Sequence, residues 1–165
     1  PCVDSKGQVI EGGTGVLRDR FFAEIVPNCP NLLFLLLTKR PSNINRLTPA
    51  SWIANPPKNV MFGTSPVDQK TFHQLKNQLL AVAGKRFLSV EPQLENINAA
   101  GDGLNGIDWV IQGGESGPKR RPFNTDWARA MRNVCEVTET PYFFKQIDKV
   151  LPIPEDLKIR QFPII

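Results

Sequence analysis

Histidine and cysteine are scarce in this sequence. It has one histidine, His73, and three cysteines, Cys2, Cys29 and Cys135, scattered over 165 residues. No Cys-x-x-Cys occurs, which argues against a zinc or iron–sulfur site made by this chain alone. No metal ligand set is therefore assigned. An odd number of dispersed cysteines suits reduced thiols, and a cytoplasmic location is the expectation. Long apolar runs are also lacking. The longest covers residues 32–37, far short of the ~18 residues of a membrane-spanning helix. No secretory signal is visible, and no membrane partner is expected. Charge of one sign is lacking too. The formal net charge of +4 permits an anionic partner without demanding one.

Proline is plentiful, at 15 residues, and the rest of the composition is that of an ordinary globular protein. The length suits a single α/β domain with a real core. Residues 1–15 read as loop and 148–165 as an irregular tail packed by Leu151, Ile153, Phe162 and Ile164. Pro1 stands where a methionine would, so the expectation is the C-terminal part of a longer protein.

Residues 107–122 carry the densest signal. Ile107, Trp109, Val110 and Ile111 are β-branched or aromatic and read as a strand. The strand runs into Gly113-Gly-Glu-Ser116, then Lys119, Arg120 and Arg121. Glycine lets backbone N–H groups approach a ligand with no Cβ in the way. Apolar strand, glycine turn, acid and basic rim together suggest the mouth of an α/β site.

The rest of the chain repeats that rhythm. Leu17, Phe21, Phe22 and Ile25 share a helical face from about Val16, and Pro27 and Pro30 are expected to end that helix. Residues 32–37 are apolar on both faces, as a central parallel strand is. A helical piece at 42–47 and an N-cap at Thr48, with Pro49 in first position, are expected next. Then come a strand at 60–62, a helix capped by Asp68 and stopped by Gly84, and a strand at 86–90. Residues 93–106 hold no convincing helix. After the opening strand, Asn124 or Thr125 caps a helix bearing Trp127, Met131 and Val134, and 142–144 is the last strand. Alternating strands and helices make an α/β fold with about five parallel strands. A full eightfold barrel needs about 250 residues, so a partial or truncated (β/α) barrel is expected, with an open sheet as the other arrangement.

Parallel α/β proteins build their sites where the strands end. Here those ends carry Thr38, Lys39 and Arg40; Thr64 and Ser65; Glu91; Glu115 and Ser116; Lys145 and Gln146. Every strand must exit into solvent, which accounts for part of the pattern. Lys39, Glu91, Glu115 and Lys145 are the candidate catalytic residues, expected to gather on one rim. Gly113, Gly114, Glu115 and Ser116 are the candidate cofactor-binding residues.

Asn31-Leu-Leu-Phe-Leu-Leu-Leu-Thr-Lys-Arg-Pro41, Arg86-Phe-Leu-Ser-Val-Glu-Pro92, Ile107-Asp-Trp-Val-Ile-Gln-Gly-Gly-Glu-Ser-Gly117 and Phe143-Phe-Lys-Gln146 resemble the signatures of a prophage-associated protein family of unknown function. That family is distantly similar to radical SAM enzymes such as spore photoproduct lyase. The likeness covers about 21–146 and continues weakly to 160–163. It implies a radical-SAM-like barrel whose strand-end rim binds a ligand or substrate. Family members carry an N-terminal cysteine-rich segment that has no counterpart here, and Cys2 alone cannot hold a cluster. S-adenosylmethionine and an iron–sulfur cluster are thus implied for a longer protein, with no cofactor in this chain, which alone is expected to be inactive. Gly113-Gly-Glu115 resembles the radical SAM element that contacts the S-adenosylmethionine amino group, although it lies late in this chain and early in those enzymes.

Two other readings compete. Arg40, Lys119, Arg120 and Arg121, with Lys39, Lys85 and Arg86, supply cations for a nucleic-acid-binding module. Against that, no recognised nucleic-acid motif is present. A barrel hydrolase would use Glu91 and Glu115 as paired carboxylates. Sugar sites want aromatic platforms near the mouth, and Trp109, Phe143 and Phe144 fall within strands.

Overall fold

A computed structural model describes residues 3, 5–9 and 13–164. Pro1 and Cys2, which enter the reading above, lie outside the described residues. Val3 bridges Val9 in antiparallel fashion. The first helical run then starts earlier than Val16 and has three pieces: α1 (Gly13–Arg20), a π-helical turn (Phe21–Ile25) and α2 (Val26–Asn28). Pro27 lies inside this run instead of ending it. Proline has no N–H to donate and its ring crowds the carbonyl four residues back. The wider π turn just before it, where the Val26 N–H reaches the Phe21 carbonyl, makes room.

β1 (Phe34–Thr38) follows, then a 3-10 turn (Pro41–Asn43), α3 (Ile44–Leu47) and α4 (Ser51–Ala54). Thr48 is a C-cap, not the expected N-cap. Its N–H and its hydroxyl both donate to the Ile44 carbonyl, closing α3, and α4 begins two residues beyond Pro49. After β2 (Val60–Thr64), Asp68 opens α5 (Gln69–Leu80) as expected. Its carboxylate accepts from the Thr71 N–H at 2.7 Å while the Thr71 hydroxyl accepts from the Asp68 N–H at 3.1 Å. That reciprocal box holds the Asp68 carboxyl below its ordinary range. Phe72 and Leu79 of α5 are fully buried, and each contributes roughly 1.5–3 kcal/mol through removal from water.

β3 (Lys85–Val90) leads to a helix-free crossover, then β4 (Trp109–Gly113), α6 (Thr125–Val137) and β5 (Tyr142–Gln146). The crossover still fills the core, through buried Ile97, Ala99, Leu104 and Ile107. Asn124 caps α6 by accepting from the Asp126 N–H. The buried stripe of α6 is Ala128, Met131 and Cys135, with Trp127 and Val134 only half-buried beside it.

All five strands are parallel and lie in sequence order, β1-β2-β3-β4-β5. Right-handed crossovers that always step in one direction put every connection on the same face. One large cluster accordingly joins α5 and α6 to the alternate strand residues Phe62, Leu88, Val90, Val110, Tyr142 and Phe144. The opposite face has its own cluster, Met61, Phe87 and Trp109, flanked by Leu33, Ile111 and Phe143, and no helix contributes to it. The sheet does not close; β1 and β5 are its edges.

Both edges correct the sequence reading. The apolar run at 32–37 is an edge strand, not a central one. Leu35 is 40% and Leu37 52% exposed, because no helix among the described residues contributes to the core on their side of β1. At the other edge the tail is more ordered than expected. Arg160 bridges Phe143 in antiparallel fashion, the Phe144 N–H donates to Ile159 and the Gln161 N–H to Tyr142. Leu157, in a 3-10 turn (Glu155–Leu157), is the fully buried anchor, with Ile153 and Ile159 packed on the core. Leu151, Phe162 and Ile164 are largely exposed.

Candidate functional site

Parallel strands deliver all the candidate rim residues to the C-terminal edge of the sheet, but they do not all meet. Lys145 follows Phe143 and Phe144 on β5, and Glu91 follows β3. Lys145 Nζ lies 2.9 Å from Glu91 Oε2. The Gln146 side-chain amide donates to the other Glu91 oxygen at 3.2 Å. Since β4 separates β3 from β5, this pair reaches across the end of β4, where Gly113 offers no side chain in the way.

Glu115 has a different partner. Both its oxygens take the Arg121 guanidinium, each at 2.8 Å, and the Arg121 N–H adds a bond at 3.0 Å. These bonds hold the Glu115 carboxyl at about 2, against an ordinary 4.5. The stability this linkage supplies is complete above the ordinary value and is lost as pH falls through about 2. In Arg121→Gln the Glu115 titration midpoint, followed by carboxyl-carbon NMR, is expected to climb back toward 4.5. A midpoint left near 2 would mean that Arg121 is not the cause.

The remaining candidates are scattered. Lys39 is exposed with no partner among the described residues, and Arg40 borders a separate cavity with Phe21, Leu36 and Leu47. Ser116 and Lys119 are exposed on the loop after β4. Arg120 pairs with Asp148 at 2.6 Å; that carboxylate also caps the Val150 and Leu151 N–H groups, and these bonds hold it below its ordinary range. Two of the three consecutive cations are therefore engaged within the fold. Arg40 leaves from β1, three strands away from β4, roughly 14 Å at normal strand spacing. No single basic patch gathers them. Glu91 and Glu115 are each committed to a cation of their own, Lys145 and Arg121.

The Gly113-Gly114 backbone is also used internally. The Gly114 N–H donates to the Gln146 carbonyl at 3.1 Å, the Gly113 carbonyl accepts from the Gln93 N–H at 3.0 Å, and the Gly114 carbonyl accepts from the Gln146 amide at 3.3 Å. Glycine is needed at 114 for packing: a Cβ there would lie 2.1 Å from the Ile147 carbonyl oxygen.

What the sequence reading missed is the helix-free face itself. A cavity of about 460 Å³ lies on it. Its floor is Phe87, Trp109 and Phe143, with Phe162 of the tail tilted against Trp109 and edge-on to Phe143 at 5.6 and 5.5 Å between ring centres. Phe87 lies flat across Gly63, where a Cβ would come within 2.3 Å of the ring. Above the rings sit Ser89 and Ile111, and at the mouth Glu91 and Lys145. The signal was available: Phe87-x-Ser89-x-Glu91, Trp109-x-Ile111-x-Gly113 and Phe143-x-Lys145 each follow the two-residue period of one strand face. Polarity rises along the first and the third toward the same edge. Of the aromatic residues noted within strands, Trp109 and Phe143 thus floor the cavity, and Phe144 lies on the helical side.

Residues 16–155 match the family DUF5131, described as a protein of unknown function. The chain belongs to that family. No curated protein and no solved structure matches it. The span shared with the family holds all five strands and the Glu91–Lys145 pair, and stops short of Arg160.

An iron–sulfur cluster does not fit the described residues. Cys29 is half-buried beside α2, while Cys135 is buried on α6, where desolvation pushes its thiol up to about 12. No group of three or more metal-ligating side chains occurs among the described residues, and none of their helices is long and apolar enough to cross a membrane.

Proposed function

We propose that the helix-free face is the ligand- or substrate-binding face of a partial (β/α) barrel. The observation that carries this is the graded inner surface: rings at the bottom, Ser89 and Ile111 midway, and a carboxylate–ammonium pair at the strand ends. Apolar walls with a few convergent polar groups are the usual make-up of a small-molecule site, and the C-terminal edge of parallel strands is its usual place.

On this reading the chain is the C-terminal part of a radical-SAM-like barrel in a phage-related protein, and it supplies the substrate wall. The support is the resemblance of the strand motifs together with five parallel strands in sequence order. The described residues do not supply a cluster, and Glu115 is held by Arg121, so no step is assigned to a cluster or to S-adenosylmethionine here. Iron–sulfur reconstitution of the longest natural protein carrying this region tests that part: a bound cluster supports it, and a cluster-free protein overturns it.

The binding face has its own test. Compounds from a small-molecule library that bind the wild-type chain in ligand-observed NMR are expected to lose binding in Ile111→Trp, which fills the cavity. Ile111 is only half-buried, so the melting temperature should change by no more than a few degrees, about the shift of a ~1 kcal/mol change. Binders that ignore the substitution would overturn the assignment.

A further inference from the structure

The geometry points to a zwitterionic aromatic α-amino acid, with a hydrogen-bonding group on its ring, as the ligand of the helix-free face; this inference rests on the binding-face reading above. The first observation is Ser89. It is 7% exposed, lines the cavity, and its hydroxyl bonds to no other described group. Among the described residues no fully occluded side-chain polar atom lacks a partner, so the Ser89 oxygen is open to the cavity. A nearly buried hydroxyl without a protein partner is costly unless something in the cavity bonds to it.

The mouth supplies the second observation. Glu91 and Lys145 neutralise each other at 2.9 Å, and the Glu91 side chain is only 19% exposed. A ligand with a carboxylate alone sets a second anion beside Glu91 on the Lys145 ammonium, and one with an ammonium alone sets a second cation beside Lys145 on Glu91. Either leaves an uncompensated charge at the half-buried mouth. A ligand carrying both charges on one carbon inserts into the pair, its carboxylate on Lys145 and its ammonium on Glu91, and strands neither.

The floor decides the body. Phe87, Trp109, Phe143 and Phe162 present ring faces and edges, which reward a flat aromatic group in stacked or edge-on contact. Ser89 precedes Glu91 by two residues, deeper in the cavity lining, and the Glu91 N–H turns back to the Ser89 carbonyl at 2.8 Å. That places its hydroxyl against the ring portion of the ligand and favours an indole N–H or a phenol over a plain phenyl ring.

Calorimetric titration of the intact chain tests this with L-tryptophan, tryptamine, indole-3-propionate and L-phenylalanine. L-Tryptophan is expected to bind at least about tenfold more tightly than tryptamine or indole-3-propionate, the equivalent of about 1.4 kcal/mol. Glu91→Gln should erase its advantage over indole-3-propionate, and Lys145→Met its advantage over tryptamine. Ser89→Ala should reduce the preference for L-tryptophan over L-phenylalanine. If any of the three variants fails to fold, the analogue series on the wild-type chain decides alone. Equal affinity for L-tryptophan and a singly charged analogue, or no binding of any of the four, overturns the ligand class. In that event, library compounds displaced by Ile111→Trp would show that the face binds something else, and their absence would remove the binding-face reading as well.

Discussion

Gly114→Ala is expected to destabilise the chain by about 3 kcal/mol, at the upper end of what overpacking a filled site costs. The added Cβ would lie 2.1 Å from the Ile147 carbonyl oxygen and 2.8 Å from Phe123 Cβ. The first is backbone and the second sits at the root of a side chain, so neither can swing aside. The only relief is to move β4 away from the end of β5, which breaks the Gly114–Gln146 bond and carries Gln146 away from Glu91. Gly101→Ala separates this steric effect from backbone preference. Gly101 has φ of +72° and nothing within 4 Å of its Cβ position, so only the left-handed conformation penalises it, by roughly 1–2 kcal/mol. Urea unfolding of both variants reads the difference. A Gly114→Ala midpoint no lower than that of Gly101→Ala would mean that the close approach does not exist.

That contrast also shows where sequence reading reaches its limit. A paired glycine between a strand and a basic loop has two physical uses, ligand approach and chain approach, and the letters are the same for both. At Gly114 the structure shows chain approach, with the Ile147 carbonyl oxygen 2.1 Å from the Cβ position. Elements with local causes were legible. The Asp68 cap, the cap at Asn124 or Thr125 and the strands themselves are set by neighbours in the chain, so residue types alone announce them. The position of a strand within the sheet is not local. Residues 32–37 look like a central strand because both faces are apolar, yet one face is open and the strand is an edge. The same limit hid the tail, whose anchor Leu157 was passed over for more exposed neighbours. Charge pairing behaved likewise. Glu91 and Lys145 met as their strand ends suggested, while Glu115 was taken by Arg121, six residues away in the same loop. A short loop closes at little entropic cost, so a local cation prevails over a distant one.

The second large effect is expected from Gln112→Leu, on the helical side of β4. Gln112 is fully buried, with Gln93 at 2% and Tyr142 at 1% exposure. Its amide N–H donates to the Gln93 side-chain oxygen and to the Trp127 carbonyl, and its own oxygen accepts from the Tyr142 hydroxyl. The network continues from the Gln93 amide to the Glu95 carbonyl at 2.7 Å. Burial raises the Tyr142 pKa, which keeps the phenol a neutral donor. Leucine matches the volume but bonds to nothing, so Gln93 loses a donor and Tyr142 keeps only the Ala128 carbonyl, at 3.3 Å. An orphaned buried group costs about 1–3 kcal/mol, and two partly orphaned groups should together cost about 3 kcal/mol. Tyr142→Phe alone leaves the Gln112 oxygen unpaired, for about 1–2 kcal/mol. The double variant removes donor and acceptor together, so its cost should fall short of the sum of the singles by about 1 kcal/mol, a coupling typical of neighbours in one network. Denaturant unfolding of the four proteins completes the cycle. Because Gln93 is two residues from Glu91 and bonds to the end of β4, Gln112→Leu should also loosen the mouth and weaken any ligand held by Glu91 and Lys145. Strict additivity would show that the two side chains act separately, and would remove this network as the support on which the mouth rests.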